Sequence, residues 1–280
     1  MYLGFRLQRQ LPSFVFAKFR RKLLQAGTSR YDEGKEFDRS REMIWINENI
    51  GFLGTGNMWS YDLGNSSILV RTGEGNVLVD CGYANYARAL EEGLLGQIDY
   101  VLLTHLHGDH AGGLHPLILK KFYTSGERVK VLYATLNFRN ELVKYMSCFM
   151  SDMDKYVELV PLTSIPEIQY VDTTGRHSKG LMSYAYSFVL GRKLVYFSGD
   201  LGDVSISEKC IEGMLRDHPE ADPGDVLVLH ETSFKEYFGH TYYKDLEKLA
   251  EKYTVLAYHC DYREKPGDCR LRFAAVPVQS

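Results

Sequence analysis

The chain has 280 residues, 45% of them hydrophobic and 25% charged, the composition of a globular protein with one large core or two small ones. A formal net charge of −3 excludes a protein whose whole surface attracts polyanions, although a local basic cleft stays open. Aromatic residues make up 13%, with 20 Tyr, enough to line a ligand cleft or to fill ordinary half-buried positions.

Residues 1–31 carry Arg6, Arg9, Lys18, Arg20, Arg21, Lys22 and Arg30 with no acidic residue before Asp32, interleaved with Phe5, Phe14, Phe16 and Phe19. A basic amphipathic segment of this kind can pack on its own protein or a homo-oligomer, lie on lipid or nucleic acid, or stay disordered. Its longest apolar stretch, Phe14-Val15-Phe16-Ala17, is too short for a signal peptide. No stretch of the chain approaches the roughly 18 apolar residues of a spanning helix. Residues 1–42 therefore read as an arm and linker, ahead of a single domain over 43–280.

Short strands are predicted at 43–46 and 50–53, then a hairpin of 67–70 and 76–79 around the Gly73/Gly75 turn, and a helix over 83–95. Tyr100–Thr104 is an apolar run that stops at a polar cluster. Beyond it come a helix at 110–121, a strand at 129–134, a helix at 137–148 and strands at 156–160, 168–172, 183–190 and 193–198. A strand at 225–229, a helix at 241–252 opened by Thr241 as a cap, a strand at 254–258 and a last strand at 271–278 complete the order. Paired strands with intervening helices suit two mixed sheets packed face to face with helices outside, and the halves seen this way repeat strand pairs followed by a helix. Cys81, Cys148, Cys210, Cys260 and Cys269 are scattered without a CxxC pair, so neither a disulfide framework nor a thiolate zinc site is expected, and a reducing cytoplasm is.

The most informative segment is Thr104-His105-Leu106-His107-Gly108-Asp109-His110-Ala111-Gly112-Gly113. At the exit of a strand, His105 and His107 project to one side because the side-chain period is two. Asp109 and His110 follow a glycine that lets the chain curl back. Imidazole and carboxylate together suit Zn²⁺, Mn²⁺ or Fe²⁺, with His105 and His107 on one ion and Asp109 and His110 on a second. Two full coordination shells need more donors, and His177, Asp200 and His259 are candidates. Asp200 and His259 end apolar runs, where ligands are held rigidly on one rim, and Asp200 can bridge two cations. His115, His218, Cys81 and Cys260 read as ordinary side chains.

At these residues the sequence resembles the metallo-β-lactamase fold superfamily, over about residues 48–262. The resemblance implies an α+β fold, a four-layer αββα sandwich with two divalent metal ions on its rim. Their ligands would be His105, His107, Asp109, His110, His177, Asp200 and His259. Gly51–Gly56, Leu78–Gly82, His230-Glu231-Thr232-Ser233, Gly239-His240-Thr241 and Ala257–Arg263 look most like the phosphodiesterase branch that includes ribonuclease Z. By that likeness His240 contacts the scissile phosphate or leaving oxygen, Glu231 orients it, and Asp109 completes the catalytic set.

Two departures argue against a tRNA processor. Only 22 residues separate His177 from Asp200, leaving no room for a long gripping arm, and Tyr83-Ala84-Asn85 stands where Glu-Gly-Thr is expected. The resemblance thus implies a phosphodiesterase on a small diester, as in bacteriophage enzymes that destroy cyclic mononucleotide signals, with zinc or manganese as cofactor and a homodimer as assembly. A ribonuclease Z-like endonuclease, an ester or lactone hydrolase, and a binding protein with a relict site are the alternatives.

Overall fold

The computed structural model describes residues 43–275, and the basic arm over 1–42 and the end of the predicted last strand lie outside the described residues. One sheet has seven strands in the order β1 (Ile44–Trp45), β2 (Ile50–Gly54), β3 (Ser67–Thr72), β4 (Gly75–Val79), β5 (Tyr100–Leu102), β6 (Val129–Tyr133) and β7 (Val157–Pro161). Its first four strands pair antiparallel and its last four parallel. The second sheet contains β8 (Ile168–Asp172), β9 (Tyr184–Leu190), β10 (Lys193–Phe197), β11 (Val226–Glu231), β12 (Thr254–Tyr258) and β13 (Arg272–Phe273), laid side by side from β13 down to β8. It too joins an antiparallel part, β8–β9–β10, to a parallel part, β10–β11–β12–β13. The weak sequence repeat is therefore a repeat of topology.

Strand periodicity decides which side chains meet. In β10, Val195 and Phe197 join the core shared with the first sheet, while Leu194 and Tyr196 join a separate outer core. Leu256 and Tyr258 of β12 divide from Val255 and Ala257 in the same way. Helices α1 (Tyr83–Glu91), α3 (Leu114–Ser125) and α4 (Leu136–Ser147) pack on the first sheet, and α5 (Val204–Asp217) and α6 (Tyr243–Ala250) on the second. The layers run αββα, as the resemblance implied.

Four local readings are corrected. The predicted helix over 110–121 is two helices, α2 (Gly108–Ala111) and α3, because the chain breaks at Gly112-Gly113. Helix α5 was not read at all. Its buried positions, Ser207, Ile211 and Met214, keep helical spacing, but a serine opens the stripe, and Asp203 caps it by accepting from Ser205 N. Thr241 does not cap α6; its hydroxyl donates to the Leu201 carbonyl and its amide to Glu231, while Tyr242 occupies the cap. At the C-terminus only Arg272–Phe273 pair as a strand among the described residues.

Candidate metal centre

All seven ligand candidates meet on one rim. His105 and His107 leave the C-terminal end of β5, and Asp109 and His110 sit in the single turn of α2. His177 comes from the loop between β8 and β9. Asp200 follows β10 and His259 follows β12, each at the C-terminal end of its strand. The first sheet thus supplies four of these residues and the second sheet's segments the other three. Gly199 turns Asp200 into place with φ +57°, where a Cβ would stand 2.9 Å from the Tyr184 carbonyl oxygen. Asp80 and His259 are the non-glycine residues with positive φ among the described residues, both at 62°. Such backbone is held only where the surroundings over-determine it, and here His259 N donates to Thr55 O at 2.7 Å.

Three of the imidazoles are oriented by a bond on their other side. Asp80 is wholly buried and accepts from Thr104 N (2.7 Å), Thr104 Oγ1 (2.8 Å) and His110 Nδ1 (2.8 Å). With its proton given to Asp80, the Thr104 hydroxyl accepts from His105 Nδ1 at 3.0 Å. His177 Nδ1 donates to the Gly239 carbonyl at 2.9 Å. His105 and His177 therefore present a bare Nε2 to the centre, and His110 does so in its neutral form.

The donor atoms fall into two groups that share Asp200. His107 Nδ1 is 3.1 Å from both His105 Nε2 and His177 Nε2, and Asp200 Oδ2 is 3.5 Å from His177. In the second group, Asp109 Oδ2 is 3.3 Å from His259 Nε2 and 3.6 Å from His110 Nε2, while Asp200 Oδ1 is 3.4 Å from His110 Nε2. Bonds of about 2.05 Å at tetrahedral angles put donors about 3.3 Å apart, so both groups have the spacing of a coordination shell. Asp109 Oδ1, His110 Nε2 and Asp200 Oδ1 are buried without a hydrogen-bond partner. Facing lone pairs that lack a proton or cation between them are costly, which is the fit expected of a site built for cations.

Charge follows the same logic. Burial pushes the Asp200 carboxyl up, but His259 and His110 hold it well below the usual carboxylate range. Burial and the neighbouring His110 keep His105 well below the usual imidazole range. Against its own burial, His110 is drawn well above that range by Asp200 and Asp80. The carboxylates demand positive charge at this point.

Beside the two groups stands a hydrogen-bonded pair. His240 Nδ1 lies 2.9 Å from Glu231 Oε2, and Glu231 Oε1 accepts from Thr241 N (2.7 Å) and Leu201 N (3.3 Å). Burial lowers His240, but Glu231 and then Asp200 raise it to about 9, so it carries a proton at neutral pH. Its ring stacks on His259 at 5.2 Å between centroids, leaving Nε2 for the cleft. Behind Glu231, the buried His230 bridges Ser207 Oγ (2.9 Å) and the Glu231 carbonyl (2.7 Å) and is held below the usual range by burial.

The cleft over the centre has a volume of about 380 Å³ and includes Trp59, Lys235, Tyr237, Asp261 and Glu264 in its wall. Sequence reasoning gave Asp80 and Thr104 no role at the centre and missed the wall from Asn57 to Trp59. Asp80 had two visible signals, an acidic residue closing the apolar run of β4 and its place in the Leu78–Gly82 motif. His115, stacked on Phe149 at 5.2 Å, and His218, 3.2 Å from Glu220, stand away from the centre as ordinary side chains. Cys81 and Cys260 are buried, and burial raises both thiols far above their usual range.

A ribonuclease Z from Methanopyrus kandleri is 39% identical over 93 residues, which cover 32% of this chain and 33% of that protein. An anti-Pycsar protein Apyc1 from Paenibacillus sp. (strain J14) is 36% identical over 91 residues, 30% of this chain and 35% of its own. The chain thus spans about a third of the length of these curated relatives. Among solved structures, the metallo-β-lactamase fold protein YhfI from Bacillus subtilis superposes with a TM-score of 0.57 at 16% identity, covering 79% of this chain and 88% of that one. That likeness establishes the fold. The family described as Anti-Pycsar protein Apyc1 matches residues 48–275, and with more than half its length accounted for the chain belongs to that family of metallo-β-lactamase-fold proteins.

Proposed function

We propose that the chain is a two-metal phosphodiesterase that hydrolyses a small phosphodiester, a cyclic nucleotide. The observation that carries this reading is His240, clamped by Glu231 at 2.9 Å, facing the same cleft as two donor groups joined at Asp200. His105, His107 and His177 would hold one ion and Asp109, His110 and His259 the other, with Asp200 adding its carboxylate. Five imidazoles and two carboxylates without a thiolate favour Zn²⁺, with Mn²⁺ next. Bound there, divalent cations supply Lewis acidity and a water of lowered pKa.

The chain's own residues do the rest. His240 holds a proton at Nε2 and delivers it to the leaving alkoxide, a poor leaving group when unprotonated. Glu231 cannot swing away, since both its oxygens are engaged. Asp109 keeps Oδ1 unpaired and turned inward, placed to orient the attacking water. A cleft of about 380 Å³ fits a small molecule. Lys235 is the one Lys or Arg among its described lining residues, whereas Asp261 and Glu264 in the same wall repel a polyanion. The hairpin of β9 and β10 fills the stretch between His177 and Asp200. These features favour a substrate with one phosphate over RNA, the second reading, which the likeness to a ribonuclease Z keeps in play.

A homodimer in the cytoplasm is part of the proposal. Five free cysteines suit a reducing compartment, and the exposed Leu136 and Phe149 offer apolar surface to a second copy. Among the described residues no helix is long and apolar enough to cross a membrane. The test is metal-stripped and reloaded protein assayed on bis-p-nitrophenyl phosphate, cyclic mononucleotides, pre-tRNA and a carboxylic ester, with light scattering for mass. Metal-dependent turnover of cyclic nucleotides ahead of RNA and ester is expected. Equal, negligible turnover of every diester by stripped and reloaded protein would refute the reading.

A further inference from the structure

We infer that Trp59 is a preorganised stacking platform for the base of the substrate, a deepening that rests on the cyclic-nucleotide reading above. The chain has two tryptophans. Trp45 is 40% exposed and has the Arg71 guanidinium 4.1 Å above its ring. Trp59 is 84% exposed, lines the cleft that holds His240 and the donor groups, and meets no other described aromatic ring.

An isolated exposed tryptophan is unremarkable on a loose loop, but this loop is fastened. Asn57 Oδ1 accepts from Trp59 N (2.9 Å), Ser60 N (3.1 Å) and Ser60 Oγ (3.0 Å), which fixes the turn beneath the ring. Gly56 N donates to Gly64 O at 2.8 Å, closing the loop at its base. From below, Arg88 donates to the carbonyls of Leu53 and Asp62. From the other sheet, Arg263 grips the Asp62 carboxylate through two bonds (2.6 and 3.2 Å) and Asp261 through Nε (2.7 Å). Asp261 lies two residues past His259, so the tryptophan loop and the second sheet's ligand segment are tied together.

A flat apolar face on a loop whose backbone is held in register with the reacting groups is suited to a planar ring. Tyr237, on the segment that carries His240, adds another aromatic to the same cleft, its ring 5.4 Å from that of His240. Stacking uses the π-face that every base has, so the platform takes purine and pyrimidine alike and holds the larger purine more tightly.

The experiment uses the full-length, metal-loaded protein carrying Trp45→Phe, in which Trp59 is the sole tryptophan. Its fluorescence is titrated with 3′,5′-cyclic AMP, 3′,5′-cyclic UMP and a base-less methyl riboside 3′,5′-cyclic phosphate. Saturable quenching by both nucleotides and none by the base-less compound is expected. In steady state, Trp59→Ala should raise KM for cyclic AMP about tenfold or more, leave kcat within about twofold, and leave base-less turnover unchanged, with Trp59→Phe restoring most of the loss. Quenching by the base-less compound, equal losses on both substrates, an unmoved KM, or a changed light-scattering mass for Trp59→Ala would overturn the assignment. The titration needs no turnover. Quenching without hydrolysis would sink the enzymatic reading and keep the platform, and hydrolysis indifferent to Trp59 would do the reverse.

Discussion

Replacing Asp80 by Asn tests how the centre is organised. Asparagine tolerates the left-handed backbone at this position and has the same outline, so the change removes charge and one acceptor with little else. The carboxylate now accepts three hydrogen bonds, two from Thr104 and one from His110. An amide group must turn its NH₂ toward at least one of those donors. At the Oδ2 position it faces both His110 and the Thr104 hydroxyl, so the ring shifts its proton to Nε2, a ligand becomes a donor pointing at Asp200, and His105 loses its orientation. At the Oδ1 position it faces the Thr104 amide, which loses its acceptor. Bonds to charged groups contribute roughly 1.5–3 kcal/mol each, and loss of one such outer contact typically lowers metal affinity 10–100-fold. Asp80→Asn should therefore lose affinity by that factor, most for the ion held by Asp109, His110 and His259. A competitive chelator titration with metal counted per chain would read it, alongside circular dichroism to verify the fold. Two ions bound with affinity within about twofold of the unaltered protein would refute the reasoning.

Other outcomes follow from the same geometry. His240→Ala should lower kcat by about 10²–10⁴-fold with metal content unchanged by atomic absorption; a proportionate loss of metal would make it a ligand instead. Because Glu231 raises His240 to about 9, kcat should fall as pH rises through that value, or somewhat lower with cations bound, and Glu231→Gln should move the limb further down. The sign for stability is the same: a raised imidazole stabilises fully below its unfolded value of roughly 6.5, and that share is lost as pH climbs through about 9. Stripping the metal should lower Tm by several degrees, since a ligand at 100 times its Kd contributes about 2.7 kcal/mol; an unchanged melting curve would count against a cation site.

The centre was legible because its core is local. His105, His107, Asp109 and His110 share one short segment, and Asp200 and His259 each close an apolar strand. What supports them was hidden, because hydrogen bonds from Asp80 reach 24 and 30 residues along the chain. Trp59 reads as an unremarkable loop residue until Arg263, 201 residues from Asp62, is seen to fasten the loop. The missed helix α5 has a different cause. Ser207 occupies a core position because it meets Tyr196 and His230 there, a reason that no hydropathy pattern contains.

Asp200 and His259 arrive on one sheet and His105 to His110 on the other, so the angle between the sheets sets how closely the donor atoms meet. Tyr258, stacked flat on Phe197 at 4.9 Å and 5.7 Å from Phe52 across the sandwich, helps to set that angle. A displacement of 1 Å can cost about 10²-fold in rate. Trimming an aromatic deep in this seam should yield a protein that is well folded, correctly charged and slow, with every residue of the cleft intact.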